Sequence, residues 1–312
     1  MPELVVGLDI GGTKTAAAAV DASGGIGPVV TLPTRPERGP AAVLDTAAEA
    51  VRRVAAAAGR PPGALGVGTA GVVDAESGVI VSATDTFPDW PGTAVGAELH
   101  DRLAGLSPDG VLPVRVQNDV DAYAAGETWC GAAAGARCAL VVAVGTGVGA
   151  AVVLDGTVRR GAHHLAGEIG HLPVPGAELL RCGCGRVGHL EAVGAGPAIH
   201  RHYRALGGDA PDTREVVRRA GLGDAAARRA VEQGAAAVGR AIAAVVTVLD
   251  PDVVVVGGGL AGAGDLWWSP LRDTLRAETV DALHDLPLRP ASLGGAAPII
   301  GAARAAWQNG EG

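Results

Sequence analysis

Apolar runs that end in glycine-rich turns occur twice along this chain. In residues 4–20 one apolar run leads into the turn Asp9-Ile10-Gly11-Gly12-Thr13-Lys14, and a second apolar run follows it. Residues 139–154 repeat this arrangement around Gly145-Thr146-Gly147-Val148-Gly149. Each segment predicts a hairpin of two strands. Glycine lets backbone N–H groups approach a phosphate closely, and threonine adds a hydroxyl donor. Two such turns therefore favour a nucleotide-dependent enzyme.

Helical and strand-like patterns alternate over the rest of the chain, which predicts the α/β class. Helical spacing is found over residues 40–58, 94–104, 120–133, much of 192–249 and 299–307. Strands are predicted over residues 65–71, 114–117 and 252–256, a hairpin over 72–82, and irregular structure over 160–191. We expect an N-terminal α/β lobe over residues 1–118, completed by a C-terminal helix at about 298–312, and a larger α/β lobe over 119–297.

The second turn formally matches the dinucleotide fingerprint G-x-G-x-x-G/A. That fingerprint needs a helix directly after its glycines, because the pyrophosphate binds at the helix N-terminus. Here the residues that follow, 150–156, have the pattern of a returning strand. A nicotinamide-binding fold is therefore disfavoured.

Composition and charge exclude several classes of function. The 312 residues are 48% hydrophobic and 19% charged, as in globular proteins, and the net charge is −8. There is no basic stripe, so a nucleic-acid surface is disfavoured. Apolar stretches such as 241–249 are too short to span a bilayer, and the amino terminus has no signal-like pattern, so we expect a cytoplasmic protein. The chain has one lysine, Lys14, and it lies in the first glycine turn.

A cluster of metal-ligand residues follows the second turn. His171 is followed by Cys182-Gly183-Cys184 and then by His189. Thiolate and imidazole ligands within about 20 positions suit a tetrahedral, structural Zn²⁺ site with four protein ligands. Glu168 and Glu191 bracket the cluster, and their carboxylates would either bind the hydroxyls of a polyol or lie solvated on the surface.

The pair Asn118-Asp119 stands at the end of a predicted strand, where α/β proteins display catalytic groups. Either residue would also suit the N-cap of the following helix. The two interpretations are compatible, because one side chain can cap the helix while the other serves a site.

Taken together, these motifs resemble the ROK family of sugar kinases and sugar-responsive repressors. The resemblance covers nearly the whole chain and rests on both glycine turns, on residues 68–71, 118–119, 126–127 and 257–259, and on the zinc segment 167–191. It implies a two-lobed actin-like ATPase (ribonuclease H-like) fold with a cleft between the lobes. The zinc segment is the specific part, since other sugar kinases of this fold share the turns but lack it.

The resemblance also implies roles for individual residues. Asp119 would be the general base for the attacking sugar hydroxyl, and Asp9 would organise Mg²⁺ on the ATP phosphates. The expected nucleotide ligands are Gly11, Gly12, Thr13, Lys14, Thr146 and Gly147 at the phosphates and Gly258 and Gly259 beside adenosine. The expected sugar ligands are Gly71, Asn118, Asp119, Glu168, His171 and Glu191. His171 would serve both zinc and sugar.

The chain departs from the family pattern at two places. His189 stands where the family usually has a third cysteine, and an imidazole can replace a thiolate on zinc. Near Trp90 the family commonly has an asparagine that contacts the sugar, whereas this chain has Thr84 or Asp85. The second departure leaves the identity of the hexose open.

The resemblance predicts an ATP-dependent hexose kinase, with glucose and its 6-hydroxyl as the first expectation. Kinases of N-acetylmannosamine or N-acetylglucosamine are the alternative, fructose is less favoured, and polyphosphate could replace ATP as donor. A repressor would need a helix-turn-helix domain ahead of the first turn, where only eight residues precede Asp9. A non-catalytic relic would be expected to have lost Asp9 or Asp119. Relatives of this kind form homodimers or homotetramers.

Overall fold

The computed structural model describes residues 4–83, 87–107 and 110–308. The chain divides into two compact units. The first comprises Met1–Gly135, Gly156–Ala166 and Ser292–Gly312, and the second comprises Ala136–Asp155 and Gly167–Ala291. The return of the C-terminal segment to the first unit agrees with the prediction. The first boundary does not: it lies after Gly135 rather than at residue 118.

The elements up to residue 130 follow the predicted pattern closely. They are β1 (Val5–Ile10), β2 (Lys14–Val20), β3 (Val30–Pro33), α1 (Pro40–Ala58), β4 (Ala64–Thr69), β5 (Val72–Asp74), β6 (Val79–Ser82), α2 (Val95–Leu103), β7 (Val114–Asn118) and α3 (Asp119–Cys130). Five of the strands form a sheet of order β3-β2-β1-β4-β7. β1 pairs antiparallel with β2 and parallel with β4, and β4 pairs parallel with β7. The carboxyl ends of β1, β4 and β7 therefore lie at one edge of the sheet.

The later elements build a second sheet of similar design. They are β8 (Cys138–Val144), β9 (Val148–Leu154), β10 (Thr157–Arg159), α4 (Glu191–Gly194), α5 (Gly196–Ala205), α6 (Thr213–Gly221), α7 (Ala225–Leu249), β11 (Val253–Gly257), α8 (Asp265–Glu278), β12 (Leu288–Pro290) and α9 (Ala297–Gln308). The sheet order is β10-β9-β8-β11-β12. Its antiparallel pair β8–β9 and parallel pair β8–β11 repeat the pairings of β1 with β2 and β4.

Short 3-10 helices connect several of these elements. They span Pro36–Arg38, Ala104–Leu106, Ile169–His171, Gly259–Ala263, Asp281–Leu283 and Gly294–Ala296. Most of residues 160–190 is otherwise irregular, as predicted. Strands β3, β10 and β12 and helix α8 were not predicted. In α8 the buried positions Trp267, Leu271 and Leu275 have helical spacing, but Pro270 interrupts the pattern.

The position of α3 explains why the predicted boundary was wrong. α3 packs against α9, and glycines on both helices permit a close approach: a Cβ added at Gly126 would overlap the carbonyl of Ala297, and one at Gly301 would overlap that of Ala122. The fully buried Glu127 on α3 also accepts hydrogen bonds from the backbone N–H groups of Ser292 and Leu293. The first helix after β7 is thus tied to the C-terminal segment of its own unit.

Helix α7 is the core helix of the second unit. Within the described part of the chain it is the one helix whose length and composition would allow it to cross a membrane, and it is longer than the apolar stretch 241–249 considered above. Its buried face includes Val231, Val238 and Ile242, and 56% of its most apolar window is buried. This burial is what the core helix of a folded domain requires.

Candidate active site

Asp9 is the second-last residue of β1 and lies beside β4, where the carboxyl ends of the parallel strands of the first unit meet. The register pairs Asp9 with Gly68 on β4, and Gly68 with Gln117 on β7. The pKa of Asp9 is raised to about 7, chiefly by burial and secondly by the nearby carboxylate of Asp119, while Lys14 opposes both effects. The two predicted acidic residues of this unit are therefore close enough to interact.

Asn118 is the N-cap of α3. Its Oδ1 accepts hydrogen bonds from the N–H groups of Val120 (2.8 Å) and Asp121 (3.2 Å), and its Nδ2 donates to the carbonyl oxygen of Gly71 (2.8 Å). Gly71 itself has a φ of 102°, which a residue with a side chain rarely adopts. The capping interpretation is confirmed, and the asparagine also fixes the turn that follows β4.

Asp119 is the first residue of α3. Its Oδ1 accepts a hydrogen bond of 2.9 Å from the N–H of Val120, and its side chain is half-buried. Burial raises the pKa of Asp119, against the opposing effect of these hydrogen bonds. A carboxylate whose pKa moves towards neutrality is suited to accept a proton. Gly68 makes room for this arrangement, because a Cβ there would lie 2.9 Å from the Cβ of Ala122 on α3.

The second glycine turn borders a cavity of about 520 Å³ in the second unit. The cavity is lined by Gly145, Thr146, Gly196, Pro197, Asp212, Thr213, Arg214, Val217, Gly259, Leu260, Gly262 and Ala263. Thr146 and Gly259 were predicted ligands and are brought together here. Gly147 and Gly258 do not line the cavity. Gly258 instead allows close packing on β8, since a Cβ there would overlap the backbone of Val144.

The beginning of α6 was missed by the sequence analysis and forms one wall of this cavity. Asp212 caps the helix by accepting from the N–H of Glu215 at 2.9 Å. The Thr213 hydroxyl donates to the carbonyl of Gly196 (2.7 Å), whose N–H donates to the carbonyl of Gly145 (2.8 Å). Asp-Thr-x-Glu is a capping pattern that the sequence displays, but its proximity to the glycine turn depends on tertiary packing.

The four predicted metal ligands converge. The ligand atoms of His171, Cys182, Cys184 and His189 all lie within 4.8 Å of one another. His171 Nδ1 is 3.7 Å from Cys182 Sγ, and His189 Nδ1 is 3.2 Å from Cys184 Sγ. Ligand atoms around a tetrahedral Zn²⁺ are about 3.5 Å apart, given its bond lengths to nitrogen and sulfur. The donor set and spacing therefore fit zinc, and His189 occupies the position of the fourth ligand.

The two carboxylates that bracket the cluster have different environments. Glu191 accepts a hydrogen bond of 3.2 Å from the N–H of Val148, next to the second turn, and its other oxygen is 3.7 Å from Cys182 Sγ. It links the turn to the metal cluster, so the alternative of a solvated surface residue is wrong for Glu191. The Oε2 atom of Glu168 lies 3.8 Å from Nε2 of His171, whereas the other ring nitrogen, Nδ1, is the one near Cys182.

The remaining predicted sugar-site position, Thr84 or Asp85, lies outside the described residues. The neighbouring Trp90 is fully buried, and its indole N–H donates to the carbonyl of Ala70 at 3.2 Å. It thus packs against the same turn that Asn118 holds.

Comparisons with known proteins identify the family and the fold of this chain. The family model described as "ROK family" matches residues 5–309. The glucokinase of Thermotoga maritima is 32% identical over 289 residues, which cover 88% of this chain and 87% of the relative. The crystal structure of the ROK hexokinase from Thermus thermophilus superposes with a TM-score of 0.86 at 38% identity, covering 100% of this chain and 99% of that one. A ROK family glucokinase from Streptomyces griseus, solved with glucose and AMPPNP, gives a TM-score of 0.83 at 30% identity, with 98% and 99% covered. The predicted two-lobed actin-like ATPase fold is confirmed, and the chain belongs to the ROK family.

Proposed function

We propose that this chain is an ATP-dependent hexose kinase that transfers the γ-phosphate of ATP to the 6-hydroxyl of glucose. The observation that carries the proposal is the half-buried carboxylate of Asp119 at the start of α3, beside Asp9 and the first glycine turn. Support also comes from the relatives, among which the Streptomyces griseus glucokinase was solved with glucose and AMPPNP.

In this mechanism Asp119 orients the attacking sugar hydroxyl and accepts its proton. Its raised pKa makes it a stronger base than an exposed aspartate, which favours proton transfer as the oxygen attacks phosphorus. Asn118 holds the start of α3 and the turn at Gly71 in place, so that the carboxylate is presented in one orientation. Most of the rate acceleration in phosphoryl transfer comes from such positioning and from charge neutralisation.

Asp9 and the first turn would bind the metal-bound phosphates. A carboxylate that is not held in an ion pair with arginine is a suitable ligand for Mg²⁺, directly or through water. When bound, Mg²⁺ neutralises the charge that develops on the transferred phosphoryl group. The backbone N–H groups of Gly12 and Thr13 and the ammonium of Lys14 would supply the remaining contacts in this unit. The N–H of Gly11 instead donates to the carbonyl oxygen of Lys14 at 3.0 Å, so Gly11 would contribute to the shape of the turn rather than to phosphate binding.

In the second unit, the cavity beside Thr146 and Gly259 would hold the nucleotide. Thr146 would contact phosphates, and Gly259 would lie beside adenosine. Gly147 and Gly258, which do not line the cavity, would serve only through the shape of their turns. At the start of α6, the carboxylate of Asp212 already caps the helix, so Arg214 would be the group of this wall that offers positive charge to an anionic ligand.

In the second unit, Glu168, His171 and Glu191 would bind hydroxyls of the sugar. In the first unit, the candidate sugar ligands are Gly71, Asn118 and Asp119. The zinc ion would have a structural role. With Nδ1 directed to the cluster and Nε2 directed to Glu168, His171 would have its ring orientation and tautomer set by the metal.

A coupled assay of ADP release tests the proposal. Purified protein with Mg²⁺ and ATP is given glucose, mannose, fructose, N-acetylglucosamine or N-acetylmannosamine in turn, and polyphosphate is tested as an alternative donor. We expect the highest kcat/KM for glucose with ATP. Preference for an N-acetyl sugar would retain the proposed kinase activity but change the proposed acceptor. If no sugar leads to release of ADP, the proposal is refuted. Sedimentation of the same sample tests the expected homodimer or homotetramer.

A further inference from the structure

A residue outside every recognised motif holds the first glycine turn. Thr34 follows β3, and its hydroxyl donates a hydrogen bond of 2.6 Å to the carbonyl oxygen of Gly11. Its backbone N–H donates a second one, of 3.1 Å, to the carbonyl oxygen of Thr13. Thr34 is fully buried, so water does not compete for either bond. One residue therefore engages a carbonyl on each side of the turn.

A second buried hydroxyl completes the contact. The Oγ1 atoms of Thr15 and Thr34 are 2.9 Å apart, and Thr15 is also fully buried. A hydroxyl has one proton, and a carbonyl oxygen can only accept. Since Thr34 gives its proton to Gly11, Thr15 must be the donor to Thr34. The hydrogen bonds thus run in one direction, from Thr15 through Thr34 to Gly11.

The bond to Gly11 has a consequence for the next residue. The C=O of Gly11 and the N–H of Gly12 belong to one planar trans peptide and point in opposite directions. Holding the carbonyl towards Thr34 therefore directs the Gly12 N–H to the other face of the turn. Within the part of the chain that the structure describes, the N–H groups of Gly12 and Thr13 make no hydrogen bond to protein. Both remain available for an anion.

We propose that Thr34 is a positioning residue for phosphoryl transfer, which orients the Gly12 N–H towards the phosphates of ATP by holding the Gly11 carbonyl. The inference rests on the proposed function, since it takes ATP as the ligand of this turn. The residue after Thr34 ends the extended backbone of β3. Arg35 adopts a left-handed conformation, with φ 55° and ψ 59°, so the chain changes direction directly after Thr34.

Substitution of the hydroxyl tests the role. Thr34→Val keeps the shape but leaves the Gly11 carbonyl and the Thr15 hydroxyl without their partner, and we expect kcat/KM for ATP to fall about tenfold, as the loss of one buried hydrogen bond implies. KM for glucose at saturating ATP should stay within about twofold of the wild-type value, because the peptide plane at Gly12 does not bind sugar. Thr34→Ser keeps the hydroxyl and should restore most of the loss.

Two further variants separate positioning from general stability. Thr15→Val removes the donor to Thr34 but leaves the bond to Gly11, so its effect on ATP should be smaller than that of Thr34→Val. Thr46→Val is the matched control, because the Thr46 hydroxyl bonds only to the carbonyl of Ala42 in its own helix. We expect Thr46→Val to have wild-type kinetics. If Thr34→Val does not fold, Thr34→Ala replaces it, as it places no methyl group against the carbonyl.

Binding of a non-hydrolysable ATP analogue with Mg²⁺, measured by calorimetry, provides a readout that does not depend on turnover. An affinity for the analogue about tenfold lower in Thr34→Val and restored in Thr34→Ser supports the proposed role of Thr34. This holds even if the wild-type protein phosphorylates no hexose, because that result would refute only the proposed kinase function. The proposal is overturned if Thr34→Val lowers stability in urea but keeps wild-type analogue affinity and kcat/KM for ATP. It is likewise overturned if the wild-type protein does not bind the analogue.

Discussion

The side-chain amide of Asn118 donates a hydrogen bond of 2.8 Å to the carbonyl oxygen of Gly71. The same side chain caps α3 through its other atom, so one asparagine joins the turn after β4 to the helix that begins at the proposed base. A strand end, a helix start and a turn of positive φ are thereby fixed to one another.

Asn118→Ser should separate the two roles of this residue. Serine is a good N-cap but its side chain is too short to reach Gly71, so the free energy of unfolding should fall by less than about 1 kcal/mol. We expect kcat/KM for glucose to fall about tenfold, since the turn at Gly71 and the orientation of the helix start are released. Urea unfolding and steady-state kinetics on the same preparations measure both quantities. Equal catalytic efficiency in the variant and the wild type would show that the link to Gly71 has no functional role.

Asp119→Asn should abolish proton acceptance while preserving the shape of the site. We expect kcat to fall by about 10²–10⁴-fold, the usual contribution of a general base, with glucose binding largely retained. Asp121→Asn is the matched control, because Asp121 lies in the same first turn of α3 and undergoes the same chemical change. Its kcat should stay within a few-fold of the wild type. Near-normal turnover by Asp119→Asn would exclude the assigned base.

The pKa of Asp9, raised to about 7, predicts a dependence of stability on pH in the absence of divalent cations. Between the ordinary value of 3.8 and about 7 the folded state binds more protons at Asp9 than the unfolded state, so this group lowers stability as pH rises through that window. Asp9→Asn removes the effect. Relative to wild type, the variant should gain stability from pH 4 to pH 8, by at most about 4 kcal/mol. Urea titrations in chelator at the two pH values measure the difference, and a difference that is constant with pH would contradict the assigned burial of the charge.

The pH dependence of kcat/KM should likewise reflect the raised pKa of Asp119. Because burial raises its pKa, the acid limb of kcat/KM should lie above the range of an ordinary aspartate, with activity lost as pH falls and the base becomes protonated.

Much of the fold could be predicted from local sequence patterns, because the residues that begin and end a helix or strand lie next to it in the sequence. Helix α1 was predicted with the bounds that the structure has, since Gly39 and Gly59, both with positive φ, flank a 19-residue run that begins with Pro40. The convergence of the four candidate metal ligands was also predictable, because these residues lie within one short segment.

Features that depend on distant packing could not be predicted in this way. The bond from Thr34 to Gly11 joins the residue after β3 to the turn between β1 and β2. It depends on the pairing of β3 with β2, which was not predicted because β3 is short and half-exposed. The wall of the proposed nucleotide cavity at Thr213 lies far in sequence from the turn at Gly145, and no local signal connects them. The boundary after Gly135 depends on the contact between Gly126 and Gly301, and a glycine inside a helix does not reveal its partner.

The last prediction concerns the four candidate zinc ligands and their effect on binding of the sugar rather than of the nucleotide. Cys184→Ser removes one of the four proposed ligands and should lower the bound zinc from one per chain to well below that in elemental analysis. Cys138→Ser is the control, because Cys138 is a half-buried thiol of the same unit outside the cluster.

Loss of the ion releases the ring of His171, so KM for glucose should rise by about 10–100-fold, as happens when the support of a metal-held ligand is lost, with KM for ATP little changed. Because the pKa of Cys182 is raised to about 11 by burial when no cation is bound, zinc uptake should release protons and weaken as pH falls. His189→Cys keeps four ligands and should retain both zinc and sugar affinity; a folded, active wild-type protein without stoichiometric zinc would refute the whole ligand set.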